Sequence, residues 1–252
     1  MQTGSLKYRV LGLTAALLLV LSGCSMPSFT TGTESSGTDT GKTSEITVIP
    51  TYTPTPVSYR EPTVTDVTGE AGSIHPTFSG AFEDIWLSAA EIPVKNALVS
   101  KDEISATVRI LWSESMLFVQ VHVLDTTPDT ESGNINSEDD VWFFLNESAE
   151  LPQKYAVGDA YYVVNRDGVA TYGTGADSAN FIYCTYEDGD SGYYVEAGIP
   201  FTSITAKAGR VIGFDVRVNN AKNQSLRTSL QLADKSGYTE YTLQGVCKIT
   251  LE

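Results

Sequence analysis

A two-residue alternation of aliphatic and mixed side chains constrains this chain more than any other feature. In residues 117–123 every odd position carries Leu or Val, whereas the even positions are mixed. Successive residues of a β-strand point to opposite faces of a sheet, so this pattern predicts a strand with one buried face. Similar runs recur at 104–112, 140–145, 160–165, 181–186, 193–199, 211–218, 226–232 and 246–251.

Polar links separate these predicted strands, and helical periodicity is nearly absent. The links 113–115 and 187–192 consist of Ser, Gly and acidic residues, which is typical of hairpin loops. Only residues 83–90 read as a helical turn. Short strands without intervening helices predict an all-β fold, an antiparallel β-sandwich of the jelly-roll or immunoglobulin-like kind. Residues 63–252 suffice for one hydrophobic core, so we expect a single domain there.

The first residues have the pattern of an export signal. Lys7 and Arg9 precede an apolar run at 10–21, shorter than the roughly 20 residues that a bilayer-spanning helix needs. The sequence Leu-Ser-Gly-Cys that ends at Cys24 resembles the bacterial lipobox. We therefore expect residues 1–23 to be removed as a lipoprotein signal peptide. Cys24 would then carry acyl chains such as palmitate, which hold the protein on the membrane.

Cys24 is the first residue of a segment, 24–62, that otherwise consists mostly of Ser, Thr, Gly and Pro and has few large apolar side chains. Such a composition buries too little surface to offset chain entropy, so we predict a disordered tether. The folded domain would face the outside, lipid-anchored to the bacterial cell membrane. The sequence does not distinguish the inner from the outer membrane: Ser25 permits outer-membrane sorting, while the tether suits a single-membrane cell equally well.

The net charge of the chain, −15, argues against nucleic-acid binding, which depends on neutralising phosphates with Lys and Arg. Neutral ligands and cations remain candidates, and we expect a monomer. Cys184 and Cys247 fall in predicted strands. They either form one disulfide or remain buried thiols.

No catalytic pattern stands out in the sequence. The two histidines, His75 and His122, are far apart, no nucleophile elbow surrounds a Ser or Cys, and no zinc-ligand spacing occurs. Met116 and His122 share one face of a predicted strand. Their separation along it, about 20 Å, is too large for both to bind one haem iron. We therefore expect a protein that is not an enzyme.

Several segments, taken in order, resemble carbohydrate-binding module family 9, a β-sandwich that accompanies secreted polysaccharide hydrolases. They are residues 82–86, 106–112, 117–125, 138–141, 193–200 and 211–219. The resemblance covers nearly all of the predicted domain and implies the same fold. It also implies binding of a poly- or oligosaccharide, which would hold the cell near its substrate or near wall glycan.

The familiar sugar clamp of that family is missing from this sequence. The resemblance places Asn136 and Leu232 where the best-known members have two tryptophans that hold a terminal sugar. It places Val163 at the position of a ligand-binding arginine and Trp142 at that of a glutamate. Trp86 and Trp112 occupy family positions that resemble core, and we expect both to be packed there.

Asp125 and Asn165 match family positions that help to hold sugar hydroxyls, although each could instead be a turn residue. Alternation along the strand puts Tyr161, Val163 and Asn165 on one face. We hypothesise a rebuilt carbohydrate-binding platform, in which Trp142 and Tyr161 stack on a sugar ring while Asn165 and Asp125 bond its hydroxyls. In the alternative interpretation Trp142, flanked by apolar neighbours, belongs to the core.

Structural calcium is common in the family, and the acidic group 138–140 could ligate it through carboxylate oxygens. In the alternative interpretation this group is solvated acidic surface. Two functions remain open. One is a non-catalytic cell-surface lipoprotein that binds carbohydrate, and the other is a structural or protein-interaction lipoprotein that kept the fold and lost the sugar site. The missing tryptophans favour the second, whereas Asp125 and Asn165 favour the first.

Overall fold

The computed structural model describes residues 63–66, 75–130, 137–173 and 175–252, with the backbone alone for 63–66. The predicted signal peptide, the predicted lipidation of Cys24 and the predicted tether lie outside these residues, as does Asn136. The described part consists almost entirely of β-structure, as the alternation predicts. A short 3-10 helix at Asp84–Ser88 occupies the predicted helical turn.

The strands agree with the predicted ones to within about a residue at most ends, and four short strands are added. In chain order they are β1 (Thr63–Asp66), β2 (Ile92–Val94), β3 (Asn96–Ser100), β4 (Ser105–Trp112), β5 (Met116–Leu124), β6 (Asp140–Asn146), β7 (Asp159–Asn165), β8 (Ala170–Tyr172), β9 (Ile182–Glu187), β10 (Tyr193–Pro200), β11 (Val211–Ala221), β12 (Leu226–Gln231) and β13 (Cys247–Leu251).

These strands form two largely antiparallel sheets. Sheet B has the order β4-β5-β10-β9, with β2 on the other side of β4. Sheet A has the order β8-β7-β6-β11. The long strand β11 then has two successive neighbours, because residues 211–214 pair with β13 and residues 217–221 pair with β12, beyond which lies β3.

Strand β1 joins the two sheets. Thr63 and Val64 pair in parallel with β13 of sheet A, and Thr65 and Asp66 pair in parallel with β4 of sheet B. Through this strand the backbone pairing continues from one sheet to the other, so β13 has no open edge where β1 pairs with it.

The core fills the space between the inner faces of the sheets. Leu and Val at the odd positions of 117–123 are buried there, which confirms the predicted alternation. Trp112 lies in the same core, while Trp86 is buried in a smaller cluster with Leu111 and Phe118. The expectation that both tryptophans are packing residues is therefore confirmed. Burying one such large side chain contributes about 1.5–3 kcal/mol.

The structure decides between the two interpretations of the cysteines. Cys184 is a free, half-buried thiol on β9, and no disulfide joins it to Cys247. Burial raises the pKa of the Cys184 thiol to about 12. Cys247 is buried on β13, where its Sγ lies 2.9 Å from the carbonyl oxygen of Phe214. Within the described ranges, no helix is long and apolar enough to cross a membrane.

Candidate functional site

The predicted platform residues lie on the outer face of sheet A. On β6 the side chains of Val141, Phe143 and Leu145 enter the core, so Trp142 and Phe144 point the other way. Tyr161 on β7 points to the same outer side. We call this surface, around Trp142, Tyr161 and the neighbouring strand β11, the A-face. Trp142 is outside the core between the sheets, but it is half-buried and packs against a smaller core cluster of Phe144, Leu243 and Val246.

The two rings of the hypothesised platform are neighbours. Trp142 and Tyr161 are half-buried, with ring centroids 5.5 Å apart and planes inclined by 24°. Tyr155 packs edge-on against Tyr161 at 5.9 Å. Phe144 is buried beside them under Leu243. A partly exposed aromatic surface therefore lies on the A-face and packs against a small hydrophobic cluster.

Arg217 completes this surface and was not singled out by the sequence analysis. It lies directly opposite Trp142 in the register of β11 and β6, and its guanidinium carbon is 5.6 Å from the centre of that indole. Its Nη2 is 2.9 Å from Oε2 of Glu240, close enough for charge attraction, although the two atoms are not aligned as a hydrogen bond. The sequence signal was available: polar residues alternate with apolar ones along 214–219.

A buried carboxylate next to Arg217 organises the chain above the A-face. Asp215 Oδ1 accepts the backbone N–H groups of Val216 (2.8 Å) and Ala233 (3.0 Å). Its Oδ2 accepts the backbone N–H of Asp234 (2.8 Å) and the side-chain amide of Gln231 (3.0 Å). The four hydrogen bonds lower the pKa of Asp215, but burial outweighs them and raises this pKa to about 7.

Residues 232–246 connect β12 to β13, and we call them the covering loop because they pack on the A-face. The hydroxyl of Thr239, fully buried, donates to Asp234 at 2.8 Å, and the backbone carbonyl of Thr239 accepts the hydroxyl of Tyr155 at 2.8 Å. Leu243 and Val246 pack against the aromatic cluster below. The loop is therefore held by both polar and apolar contacts.

Asp125, the first of the two predicted hydroxyl-binding residues, forms a turn at the end of β5. Its Oδ1 accepts the backbone N–H and the hydroxyl of Thr127, both at 2.9 Å. Its Oδ2 is 3.4 Å from Arg166 Nη1. Arg166 also pairs with Glu187 at 2.6 Å and lies over the ring of Tyr193. Asp125 is thus buried in a network of its own and apart from the aromatic pair.

Asn165, the second of these residues, is also in a turn. Its side-chain Oδ1 accepts the N–H of Val169 (2.7 Å), and its Nδ2 donates to Glu138 Oε2 (2.7 Å). Only 4% of Asn165 is exposed. The structure brings Trp142 and Tyr161 together but gives Asp125 and Asn165 the turn geometry that the sequence analysis held as the alternative.

Two of the family's ligand-binding positions, Leu232 and Val163, are closed in this structure, while Asn136 lies outside the described residues. Leu232 lies in the core between the sheets, so its side chain points away from the A-face. Val163 does face outward but is 1% exposed. Neither side chain is available to a ligand, which agrees with the inference that the familiar clamp is missing.

The acidic group 138–140 is buried, so the alternative interpretation of it as solvated acidic surface is wrong, while calcium binding there stays a prediction. Asp139 accepts the N–H groups of Asp129 and Ala221 and lies 3.6 Å from Arg166. Asp140 Oδ1 accepts the amide of Asn219 at 2.9 Å. Over the described ranges, no three His, Cys, Asp or Glu side chains gather as ligands. Burial raises the pKa of Asp139 to about 7 and that of Asp140 further above its usual value.

The outer face of sheet B, which we call the B-face, also carries aromatic residues. Tyr186, Tyr194 and His122 form a row across three strands, with centroid separations of 4.9 Å and 4.1 Å and nearly parallel planes. His122 Nε2 is 2.9 Å from Asp188 Oδ2. Phe82 meets Tyr194 edge-on at 6.0 Å. An open cleft of about 480 Å³ lies between the turn at Phe82 and the β9-β10 hairpin.

Three comparisons relate the chain to known proteins. The family model described as "Carbohydrate family 9 binding domain-like" matches residues 79–249. Exoglucanase XynX of Acetivibrio thermocellus and endo-1,4-beta-xylanase A of Thermoanaerobacterium saccharolyticum are each 32% identical over 155 residues, which is 62% of this chain. The chain covers 14% and 13% of these relatives, respectively.

The solved structures similar to this chain have the same fold. A family 9 carbohydrate-binding module from Caldicellulosiruptor kristjanssonii in complex with cellotriose matches with a TM-score of 0.69 and 22% identity, over 77% of this chain and 94% of that one. The module in complex with glucose gives a TM-score of 0.67 at 22% identity, over 75% and 95%. At this identity the likeness concerns the β-sandwich.

Proposed function

From the premise that the chain belongs to the family 9 carbohydrate-binding domains, we propose that it binds a poly- or oligosaccharide on the A-face without cleaving it. The observation that carries the proposal is the pair Trp142 and Tyr161, which lies half-exposed outside the core with nearly parallel rings. Aromatic surfaces offer C–H contacts to sugar rings, and a few polar groups at their edge supply hydroxyl recognition.

Glu240, whose side chain is 24% exposed, is the polar group best placed for hydroxyl recognition. The buried Arg217 lies over the indole of Trp142 and pairs with Glu240. Asp125 and Asn165 support the site in this proposal, because their hydrogen bonds fix the turns that follow β5 and β7.

The relatives suggest which sugars to test. Those relatives are named as an exoglucanase and a xylanase, and the two structural neighbours hold cellotriose and glucose. We therefore propose β-linked glucose or xylose oligosaccharides as ligands. Because the chain covers only 13–14% of those enzymes, their hydrolytic activity is not extended to it.

Isothermal titration of the purified full chain with cellotriose and xylotriose tests the proposal. We expect saturable heat, and a loss of affinity of about tenfold or more when Trp142 is replaced by Ala. Tyr194→Ala on the B-face is the matched control and should keep its affinity. Thermal unfolding of each variant separates lost binding from lost folding. Unchanged binding by a folded Trp142→Ala variant would rule out the A-face as the site.

Membrane attachment is the second part of the proposal. It assigns residues 1–23 to a signal peptide, acyl chains to Cys24 and a tether to 24–62, because two or three acyl chains suffice for stable anchoring. Expression with labelled palmitate should give label in the membrane fraction. Cys24→Ala should lose that label, and equal labelling of the variant would refute the anchor.

A structural or protein-interaction role remains the alternative, and one observation favours it. Val163 is closed off, and Arg217 lies over part of the Trp142 ring, whose Nε1 is buried without a hydrogen-bond partner. The A-face is thus partly covered by its own side chains. A flat titration with every sugar tested would favour this alternative.

A further inference from the structure

The covering loop displays two tyrosines to solvent. Tyr238 is 62% exposed and Tyr241 is 70% exposed. Across the described residues, neither ring is stacked on another aromatic ring, and neither hydroxyl has a hydrogen-bond partner. Both ring faces are therefore available to a ligand, and exposed apolar surface with polar groups beside it is a feature of binding sites.

The two tyrosines stand three residues apart at the ends of a single helical turn. The N–H of Tyr241 donates to the carbonyl of Tyr238 at 2.9 Å, and the N–H of Thr242 donates to the same carbonyl at 3.1 Å. Residues three apart in such a turn are neighbours, with Cβ atoms about 5–6 Å apart. The tyrosines can therefore contact the same sugar ring or two adjacent ones.

The side chains between the tyrosines point the other way and fix the turn to the sheet. Thr239 is fully buried and bonds to Asp234, while Glu240 pairs with Arg217 above Trp142. The hydroxyl of Tyr155 holds the backbone carbonyl of Thr239. A tyrosine on such a fixed support binds with little loss of conformational entropy, as tyrosines do in preorganised binding surfaces.

The chemistry of this pair suits a neutral sugar chain. Tyrosine combines an apolar ring face for C–H contacts with a hydroxyl that can exchange hydrogen bonds with a saccharide. The chain's net charge of −15 disfavours polyanionic ligands. Glu240, which lies between the tyrosines in the chain, pairs with Arg217, and the guanidinium carbon of Arg217 is 5.6 Å from the centre of the Trp142 ring.

We propose that Tyr238 and Tyr241 form a second stacking subsite for a neutral oligosaccharide, which extends the site at Trp142 and Tyr161 onto the covering loop. This inference rests on the proposed function. It predicts that affinity grows with the length of the sugar chain, because a monosaccharide fills one subsite and a longer chain reaches both.

The experiment compares glucose, cellotriose and cellohexaose by titration of the full chain. We expect the double variant Tyr238→Ala/Tyr241→Ala to lose about tenfold or more in affinity for cellohexaose, with glucose binding unchanged. The double variant to Phe keeps the ring faces and should lose less than about threefold. Trp142→Ala should weaken the binding of all three sugars. Both tyrosines are exposed, and thermal unfolding should show that the variants remain folded.

The other outcomes have distinct meanings. Binding of cellohexaose that is unchanged by the Ala variant overturns the second subsite and leaves the proposed function standing. Equal losses in the Phe and Ala variants overturn stacking as the mode of contact. A wild-type chain that binds none of the sugars overturns the proposed function, and the second subsite with it.

Discussion

The covering loop and the B-face use aromatic side chains in opposite ways. On the B-face, Tyr186 and His122 stack on the two sides of Tyr194, so each of them has one ring face covered and Tyr194 has both covered. On the covering loop, Tyr238 and Tyr241 stack on no ring among the described residues. The two regions thus differ in how many ring faces are available to a ligand, rather than in how many aromatic residues they carry.

A buried carboxylate lies near each face of the sandwich, and the two carboxylates differ in the kind of donor that they hold in place. Asp215 near the A-face accepts three backbone N–H groups and an amide, and these donors fix the start of the covering loop. Glu196 on the B-face accepts the side-chain groups of Gln120, Tyr186 and Cys184. The first network fixes backbone, whereas the second fixes only side chains that can reorient.

Substitution of these two carboxylates by amides should give the largest difference in stability loss between the A-face and the B-face. In Asp215→Asn, an amide nitrogen faces N–H donors that cannot turn away, so we expect a loss of about 2–4 kcal/mol in the free energy of unfolding. Glu196→Gln should lose about 1 kcal/mol, because a hydroxyl and a thiol can rotate. Urea unfolding measures both. Equal losses would remove the distinction between the two networks.

Two glycines test how tightly the aromatic residues of each face are packed. A Cβ at Gly173 would overlap the Tyr161 ring, so Gly173→Ala should cost about 1–3 kcal/mol. A Cβ at Gly198 would lie 3.1 Å from Phe78 and 3.2 Å from the flexible Met116 side chain. We expect less than about 1 kcal/mol there. Thermal unfolding measures the stability loss of both variants. A larger loss for Gly198→Ala than for Gly173→Ala would contradict the tighter packing expected around Tyr161.

The dependence of stability on pH should come from three buried carboxyl groups: Asp215 and Asp139, whose pKa values burial raises to about 7, and Asp140, whose pKa burial also raises well above its usual value. Between about pH 4 and pH 7 these carboxyl groups are mostly protonated in the folded protein and mostly ionised in the unfolded chain. The free energy of unfolding should therefore fall as the pH rises from 5.5 to 7.5, by about 1–2 kcal/mol for each group. Urea unfolding at both pH values measures this. A slope that persists in Asp215→Asn and Asp139→Asn, but vanishes in Glu196→Gln, would place its origin on the B-face.

Two ion pairs should give the smallest difference. Glu240→Gln leaves the buried Arg217 without its counter-charge and should cost about 1 kcal/mol. Glu91→Gln breaks the contact of Arg109 with a half-exposed carboxylate on sheet B and should cost less than about 0.5 kcal/mol. Differential scanning calorimetry in low and high salt should show the second effect disappearing with salt. A larger loss of stability in Glu91→Gln than in Glu240→Gln would contradict the inference that the more buried pair, Arg217–Glu240, contributes more.

The sequence predicted the long strands because their alternation persists over several residues, as in β5 and β10. It missed β2 and β8, each only three residues long, which is too short for a period to appear. In β2 a proline also weakens the strand signal, since proline is confined to edges and strand ends. The core residues of the long strands followed from the pattern, whereas the family resemblance gave the positions of Trp86 and Trp112.

The candidate site was less predictable because it depends on partners far away in the sequence. Alternation put Trp142 and Tyr161 on outward faces only once the direction of the core was known, and their contact follows from the register of β6 and β7. Asp125 received its role from Arg166, and Asn165 received its role from Glu138. No local pattern identifies such pairings. Tyr238 and Tyr241 were not singled out either, because their exposure depends on how the covering loop packs on the A-face.

Sheet A is complete only when both ends of the described domain are present. Strand β13 lies between β11 and β1, and Thr63 pairs with Thr250. A chain that is synthesised from its N-terminus can pair β1 with β4 early, but β13 is the last strand to become available. Such distant contacts also slow folding. Sheet A of the nascent chain therefore stays open until β13 has been synthesised, a state compatible with the export that we propose.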